Sequence, residues 1–347
     1  MTTTTNPTAA HARANETPAD VVVTGAGGFI GLPLIQSLLK AGHRVRAVTR
    51  EPAVFRKKIA DTIDLNQMQR LSLLEHPGFG RDADWKSILA GAQEVVHGAG
   101  IAHVALGADR SARRQLWRVN VQGTRQLARE AADAGVQRMI FLSSIKAAGE
   151  RSEPGEPLQA DAPPRPEDCY GYAKLAGERH LLKQHQQRPG MDITIIRPPL
   201  VYGPGVKANF AALMKLARSG LPLPLGSIRN ERSFLSVHNL ADAILRVIAE
   251  PHGGGNGVFH LSDGAPVSTP GLIRNIARAY GKPARLLPIP PALLGAVAKA
   301  AGQNGAWQRL AGSLAVDHRP FCRQFDWQPP LSMAEALAAM RADDTSS

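Results

Sequence analysis

Tyr170-Gly171-Tyr172-Ala173-Lys174 is the stretch of this 347-residue chain that most directly suggests chemistry. On a helix, Tyr170 and Lys174 lie four apart on one face, and the ammonium stands where it favours the phenolate of a tyrosine whose free pKa is about 10. A tyrosine tuned in this way gives a proton to a ketone or takes one from a carbinol. Tyr172 points off that face. Upstream, Ser143-Ser144 ends an apolar run and offers hydroxyls to an oxygen on which charge develops. Cys169 reads as a small pocket-lining side chain, and with Cys322 it forms neither a metal spacing nor a disulfide framework.

A proton donor at a carbinol/ketone pair needs a redox partner, and Thr24-Gly25-Ala26-Gly27-Gly28-Phe29-Ile30-Gly31 supplies a place for one. Residues 19–24 read as a short buried strand. Residues 29–41 read as a helix, with Ile30, Leu34, Leu38 and Ala41 at helical spacing. Gly25, Gly28 and Gly31 therefore fall in a strand-to-helix turn, where bare backbone lets a pyrophosphate approach the helix N-terminus and lets helix pack on strand.

The elements that must position these groups alternate. A strand is predicted at 43–49, followed by an irregular basic segment. A helix at 85–89 leads to a strand at 93–98, and a long helix at 111–134 places Leu116, Val119, Gly123, Leu127 and Ala131 on one face. Further strands are expected at 138–143 and 192–197, flanking the Tyr/Lys helix that runs to about 187. This is the pattern of an α/β chain with a doubly wound parallel sheet, with ligands at the carboxyl ends of the strands. Beyond Arg197 prolines break the chain into short pieces, which suits a smaller, loop-rich substrate lobe. We expect a tail at 1–18, a dinucleotide-binding domain at 19–197, and a substrate lobe formed by 198–233 and 262–342. Segments 234–237 and 258–261 read as strands returning to the main sheet, and 343–347 as a second disordered tail.

The formal net charge is +12. The cations are scattered (Arg44, Arg46, Arg50, Arg56-Lys57-Lys58, Arg113-Arg114) without interleaved aromatics or a nucleic-acid module, so no nucleic-acid partner is expected. Anionic small ligands profit from such a field. No apolar run reaches the ~18 residues of a membrane span, and no leader with a cationic start and an apolar middle is found, so we expect a cytoplasmic protein without membrane insertion.

Taken together, the motifs resemble the extended short-chain dehydrogenase/reductase family, the NAD-dependent epimerase/dehydratase group acting on nucleotide sugars. They are the glycine turn, His97-Gly98-Ala99-Gly100, Asn120-Val121-Gln122-Gly123-Thr124, Ser143-Ser144, Tyr170 with Lys174, Arg197-Pro198-Pro199-Leu200-Val201-Tyr202-Gly203-Pro204-Gly205 and Arg232-Ser233-Phe234. The resemblance spans Asp20 to about Pro330 and implies a Rossmann sheet. It implies that Ser144, Tyr170 and Lys174 carry the chemistry, with Asn120 steadying the active-site helix and no metal needed. It implies dinucleotide contacts from Gly25, Gly28, Phe29, Ile30, Gly31, Ala99, Tyr170, Lys174, Pro198 and Leu200. Lys146, Asn209 and Arg232 are expected to meet the substrate, a nucleotide sugar in UDP-linked form, and a homodimer is the expected assembly.

Two departures from the family pattern narrow the reaction. Members that remove water carry an acidic pair after the Ser/Thr, because expelling hydroxide needs a second acid/base couple. Ile145 and Lys146 stand there, so dehydration is not expected. At the end of the second strand, where an acid would grip a ribose 2′-hydroxyl, Thr49 is followed by Arg50, which suits the 2′-phosphate of NADP rather than NAD. Three activities stay open: a reductase of 4-keto nucleotide sugars, a UDP-hexose 4-epimerase, and a cofactor-binding regulator without turnover.

Overall fold

The computed structural model describes residues 19–79, 83–102 and 109–346. The predicted tail at 1–18 lies outside them. In chain order the first elements are β1 (Asp20–Thr24), α1 (Gly31–Lys40), β2 (Arg44–Thr49), α2 (Pro52–Ala60), α3 (Leu65–Gln69), β3 (Leu71–Glu75), α4 (Lys86–Leu89), β4 (Glu94–His97), α5 (Arg110–Trp117), α6 (Thr124–Asp133), β5 (Arg138–Leu142), α7 (Cys169–Gln187) and β6 (Asp192–Arg197). Then come β7 (Leu200–Tyr202), α8 (Ala208–Arg218), β8 (Phe234–Ser236), α9 (Val237–Ile248), β9 (Gly257–His260), α10 (Thr269–Ala279), α11 (Pro291–Ala300), α12 (Asn304–Ala311), α13 (Arg319–Phe325) and α14 (Met333–Ser346).

Seven strands form one parallel sheet in the order β3-β2-β1-β4-β5-β6-β9. The chain winds outward from β1 in one direction, returns to β4, and winds outward in the other. The carboxyl ends of β1 and β4 therefore border the crevice at the switch point, where open α/β sheets bind ligands. Strand alternation feeds two cores. Val21 and Val23 pack with Leu34, Ile35 and Leu38 of α1 and with Leu240, Ile244 and Val247 of α9 on one face. Val22 packs with Val95, Met139, Phe141, Leu127 of α6 and Leu181 of α7 on the other.

Three features depart from the expectation. The basic segment after β2 is regular: Phe55 and Ile59 anchor α2, an Asp64/Gln67 capping box starts α3, and β3 adds the outermost strand beside β2. The long helix is interrupted at Arg118–Gly123 by a π-helical segment that buries Asn120, Val121 and Gly123. Of the two returning strands, β9 pairs with β6, but β8 pairs with β7 in a separate two-stranded parallel sheet. What returns to the main body after β8 is α9, which lies against α1. A third core beneath β7 and β8 joins Tyr202, Phe210 and Met214 to Leu272, Ile276, Leu337 and Met340. The expected C-terminal tail continues α14 as far as Ser346.

Candidate active site

The glycine turn is closed against neighbouring backbone. Gly25 has φ +77°, and a Cβ there would stand 2.7 Å from the Gly98 carbonyl carbon and 2.8 Å from the Ala99 nitrogen. A Cβ on Gly31 would overlap the carbonyl oxygen of Ala26 and come within 2.6 Å of that of Gly25. Gly28 N–H donates to the Gly25 carbonyl at 2.9 Å. Helix α1 opens at Ile30 with no side-chain cap and no acid in its first turn, so its first N–H groups and the positive end of its dipole face the crevice uncompensated. These residues fit a pyrophosphate. The Phe29 ring reaches toward Gly203, its Cζ 3.7 Å from where a Cβ on that glycine would stand.

Behind the turn a buried polar relay ties β1 and β4 to α6. His97 Nδ1 is 2.7 Å from Thr24 Oγ1, His97 Nε2 is 3.0 Å from Thr124 Oγ1, and the Thr124 hydroxyl donates to the Asn120 carbonyl at 2.9 Å. Burial, aided by the nearby Lys174 charge, pushes His97 down to about 3, so it stays neutral and serves as a strut. Thr24 Oγ1 also accepts from Ala99 N–H at 3.2 Å. Asn120 is held from both ends of Ile101, donating to its carbonyl at 2.9 Å and accepting from its N–H at 2.8 Å. The amide thus fixes the strand-end loop, while the Asn120 backbone carbonyl faces Gly177 of α7. A π segment at such a residue is a frequent mark of a functional site.

Helix α7 carries the expected pair and is started by Asp168, whose carboxylate accepts from Gly171 N–H at 2.7 Å. Ser144 caps a short 3₁₀ turn by accepting from Lys146 N–H at 3.3 Å, and its hydroxyl also shares a hydrogen bond with the Tyr170 hydroxyl. Tyr170 is half-buried, yet its hydroxyl is withdrawn from water. Burial pushes its pKa up to about 12, against the Ser144 hydrogen bond that favours the phenolate, and Asp168 raises it further. This corrects the expectation of a phenolate favoured by Lys174. The ammonium is spent elsewhere: Lys174 Nζ donates to the Leu142 carbonyl at 2.7 Å and sits 4.6 Å from the Phe141 ring centroid. Burial brings Lys174 itself down to about 8, partly opposed by Glu178. Gly100 leaves room here, since a Cβ on it would lie 3.2 Å from Asn120 Oδ1 and 3.5 Å from Lys174 Nζ.

One turn beyond Lys174 lies a node that motif reading did not mark. The Glu178 carboxylate accepts from Ser143 Oγ at 2.5 Å and from Arg197 Nε and Nη2 at 2.9 and 2.6 Å, all buried. It fastens the ends of β5 and β6 to α7, with the bidentate geometry that makes such pairs strong. The available signal was the i+4 spacing of Glu178 from Lys174, together with an arginine ending a hydrophobic strand.

The remaining predicted residues surround this centre. Lys146 is engaged by Asp168 at 2.6 Å and Glu150 at 3.0 Å, which keep its ammonium above the usual lysine value despite partial burial. Pro198 accepts from Ile145 N–H at 2.9 Å, and Leu200 begins β7. Arg50 is exposed just past β2, beside Thr49, whose Oγ1 is 3.0 Å from the Cβ position of Gly27. Asn209 is exposed in the first turn of α8, after Ala208 at φ +55°. Arg232 donates to the Gly312 carbonyl at 2.8 Å, and its backbone bridges Val267 and Leu314. Burial lowers its pKa, with no carboxylate among the described residues compensating.

This arrangement coincides with a known family: residues 21–261 match the NAD dependent epimerase/dehydratase family. The chain belongs to that family. It is 38% identical over 322 residues to a UDP-glucose 4-epimerase of Vibrio cholerae, covering 92% of this chain and 94% of the relative. It is 29% identical over 273 residues to a 4-hydroxy-2-methyl-3-oxo-4-farnesyl-3,4-dihydroquinoline-1-oxide ketoreductase of Stigmatella aurantiaca, covering 77% and 75%. A solved UDP-glucuronic acid 4-epimerase from Bacillus cereus, in complex with NAD, shares the fold at a TM-score of 0.72 and 20% identity, covering 94% and 99%. Family members are NAD-dependent enzymes of the extended short-chain dehydrogenase/reductase type, and this chain is one of them. Among the described residues no helix is long and apolar enough to cross a membrane.

Proposed function

We propose that the protein reduces the 4-keto group of a UDP-linked sugar, with NADPH as the preferred cofactor. The observation that carries this reading is Arg50, exposed just past β2 beside the uncharged Thr49. Tyr170, hydrogen-bonded with Ser144 and held above its ordinary value by burial, is the proton donor that such a reduction needs. Gly25, Gly28, Phe29, Ile30, Gly31 and Ala99 would hold the dinucleotide's pyrophosphate side, with Lys174, Pro198 and Leu200 at its nicotinamide end. When bound, it supplies the hydride. Ser144 donates to the ketone oxygen as charge grows, and Tyr170 delivers its proton to that oxygen. The buried Lys174 ammonium, anchored on the Leu142 carbonyl, would meet the nicotinamide ribose. Arg50 supports the choice of NADPH, because its guanidinium is exposed beside the uncharged Thr49, where a 2′-phosphate would sit. Arg232 supports an anionic substrate, since it is a half-buried cation that, among the described residues, donates to a backbone carbonyl and meets no carboxylate. Asn209 at the start of α8 would join it on the diphosphate, and Lys146 would face the sugar across from Ser144. Trp117 on α5 and Tyr172 on α7, 46% and 57% exposed, support the expected homodimer.

The 38% identical Vibrio cholerae relative favours a second reading, a UDP-hexose 4-epimerase. The deciding experiment measures the dinucleotide content of purified protein, then NADPH oxidation with a UDP-4-keto-6-deoxyhexose. We expect cofactor-free protein and one NADPH consumed per ketosugar. Tightly held NAD, with interconversion of UDP-glucose and UDP-galactose and no added cofactor, would establish the epimerase instead.

A further inference from the structure

Helix α11 is apolar and yet contributes no buried residue. Its inner side is covered, with Leu294 packed toward the third core beside Trp307 and Leu310 of α12. Its outer side is not. Leu293 and Val297 are 58% and 61% exposed, and Ala292, Ala296 and Ala300 lie exposed on the same side of the helix. Leu287, in the segment leading into α11, is 45% exposed. Three of the nine exposed large hydrophobic side chains among the described residues thus fall within eleven positions of the chain. Lys299 sits at the flank of this apolar strip, where a long side chain can lay its stem along an apolar surface and keep its charge in a polar layer.

The charge around the strip is one-sided. Between Asp263 and Asp317 there is no acidic residue, while Arg274, Arg278, Lys282, Arg285, Lys299 and Arg309 all fall there. Arg274, Arg278, Lys282, Arg285 and Lys299 are exposed. A second copy of the chain would present the same six cations, and the whole molecule carries +12, so like charge opposes self-association through this face. A short helix with an apolar outer strip, lysine at its flank and cations around it has the form that lies in the headgroup plane of an anionic bilayer.

We propose that α11 and its cationic surroundings dock the protein reversibly on an anionic phospholipid surface, Leu293 and Val297 entering the headgroup layer. Nothing crosses the bilayer, and the site at the sheet's carboxyl edge takes no part. The docking is independent of the reaction proposed above.

The test is flotation of full-length protein with phosphatidylcholine vesicles, with and without phosphatidylglycerol, at low and high salt. Wild type should float with the anionic vesicles alone and detach as salt screens the charges. The double substitution L293E/V297E should weaken that partitioning by ~10-fold or more, through lost apolar burial and added like charge to the lipid. An unchanged thermal transition in this variant confirms folding, because both side chains are exposed. Four results would overturn the proposal. One is no flotation with anionic vesicles at low salt. Another is equal flotation of wild type and L293E/V297E, which would mean diffuse electrostatic adsorption. A third is a wild-type dimer in velocity sedimentation that L293E/V297E dissociates, which would make the strip a contact between copies. The last is L293E/V297E weakening the binding of an acidic polypeptide such as polyglutamate while flotation is unaltered, which would assign the face to an acidic protein.

Discussion

Helices α1 and α11 are both ten residues long and both apolar, and they meet opposite fates. The first buries Gly31, Leu34, Ile35, Leu38 and Leu39 between β1 and α9, whereas no residue of the second is fully buried. Apolar content does not separate them. What differs is the backbone around them. Gly25 and Gly31 let α1 start in contact with the ends of β1 and β4, and that contact fixes the angle at which its leucines meet the sheet. Helix α11 opens at Pro291 after Pro288 and Pro290, whose missing N–H groups and fixed φ keep the approach irregular, and its main packing partner is α12. The glycine-turn region is therefore over-determined, and the C-terminal lobe is assembled from short pieces.

If that contrast is right, equal substitutions should cost very different amounts. Leu38→Ala should destabilise the fold by about 3 kcal/mol, as expected for a buried leucine leaving a cavity, measured by urea unfolding. A cost under about 1 kcal/mol would mean the α1 side is no better packed than the lobe. Lys174→Met should abolish turnover and yet stabilise the cofactor-free protein at neutral pH by about 2 kcal/mol, since it removes a buried cation. Burial takes this ammonium from its ordinary 10.5 down to about 8. Below about 8 both folded and unfolded chains hold the proton, and the folded one bears the full cost. Between about 8 and 10.5 the unfolded chain holds more protons, so wild-type stability rises with pH and the advantage of the methionine variant shrinks. Unfolding curves from pH 7 to 10 in which wild type shows no such rise would place the Lys174 charge in a polar, compensated environment.

At the rim of the crevice the effects should be smaller and confined to ligands. Arg50→Ala should reduce the preference for NADPH over NADH by about 10-fold, the worth of one charge-assisted contact, as read by titrating both dinucleotides. An unchanged ratio would take Arg50 out of the cofactor site. The smallest effect belongs to Leu293→Ala on α11, which should alter stability by less than about 0.5 kcal/mol in the same urea experiment that reports on Leu38→Ala.

Much of this was legible in the residues, for reasons the same contrast explains. The glycine turn, the strand-helix alternation and the Tyr170/Lys174 spacing are local features, and local backbone constraint leaves a local signature. The segment 50–75 was misjudged because its apolar residues are diluted by surface cations, Phe55 and Ile59 being the two that α2 buries. The partner of β8 could not be read from its own three residues, since Leu200 and Phe234 meet only once the lobe has folded. The direction of the Tyr170 shift was lost for the same reason. Spacing places Lys174 on the correct face, but the Leu142 carbonyl that captures its ammonium lies 32 positions away in the chain. Glu178 gains its meaning only when Arg197 and Ser143 arrive from two other strands.

The most direct test of the central claim follows the proton that Tyr170 supplies. NADPH oxidation should be measured with a UDP-4-keto-6-deoxyhexose for wild type and Tyr170→Phe, with dinucleotide binding and unfolding as controls. The substitution should cut turnover by ~100-fold or more, the range for a lost general acid, while cofactor affinity and fold stay near wild type. Near-normal turnover in Tyr170→Phe would contradict the account, because the ketone oxygen would then draw its proton from another group.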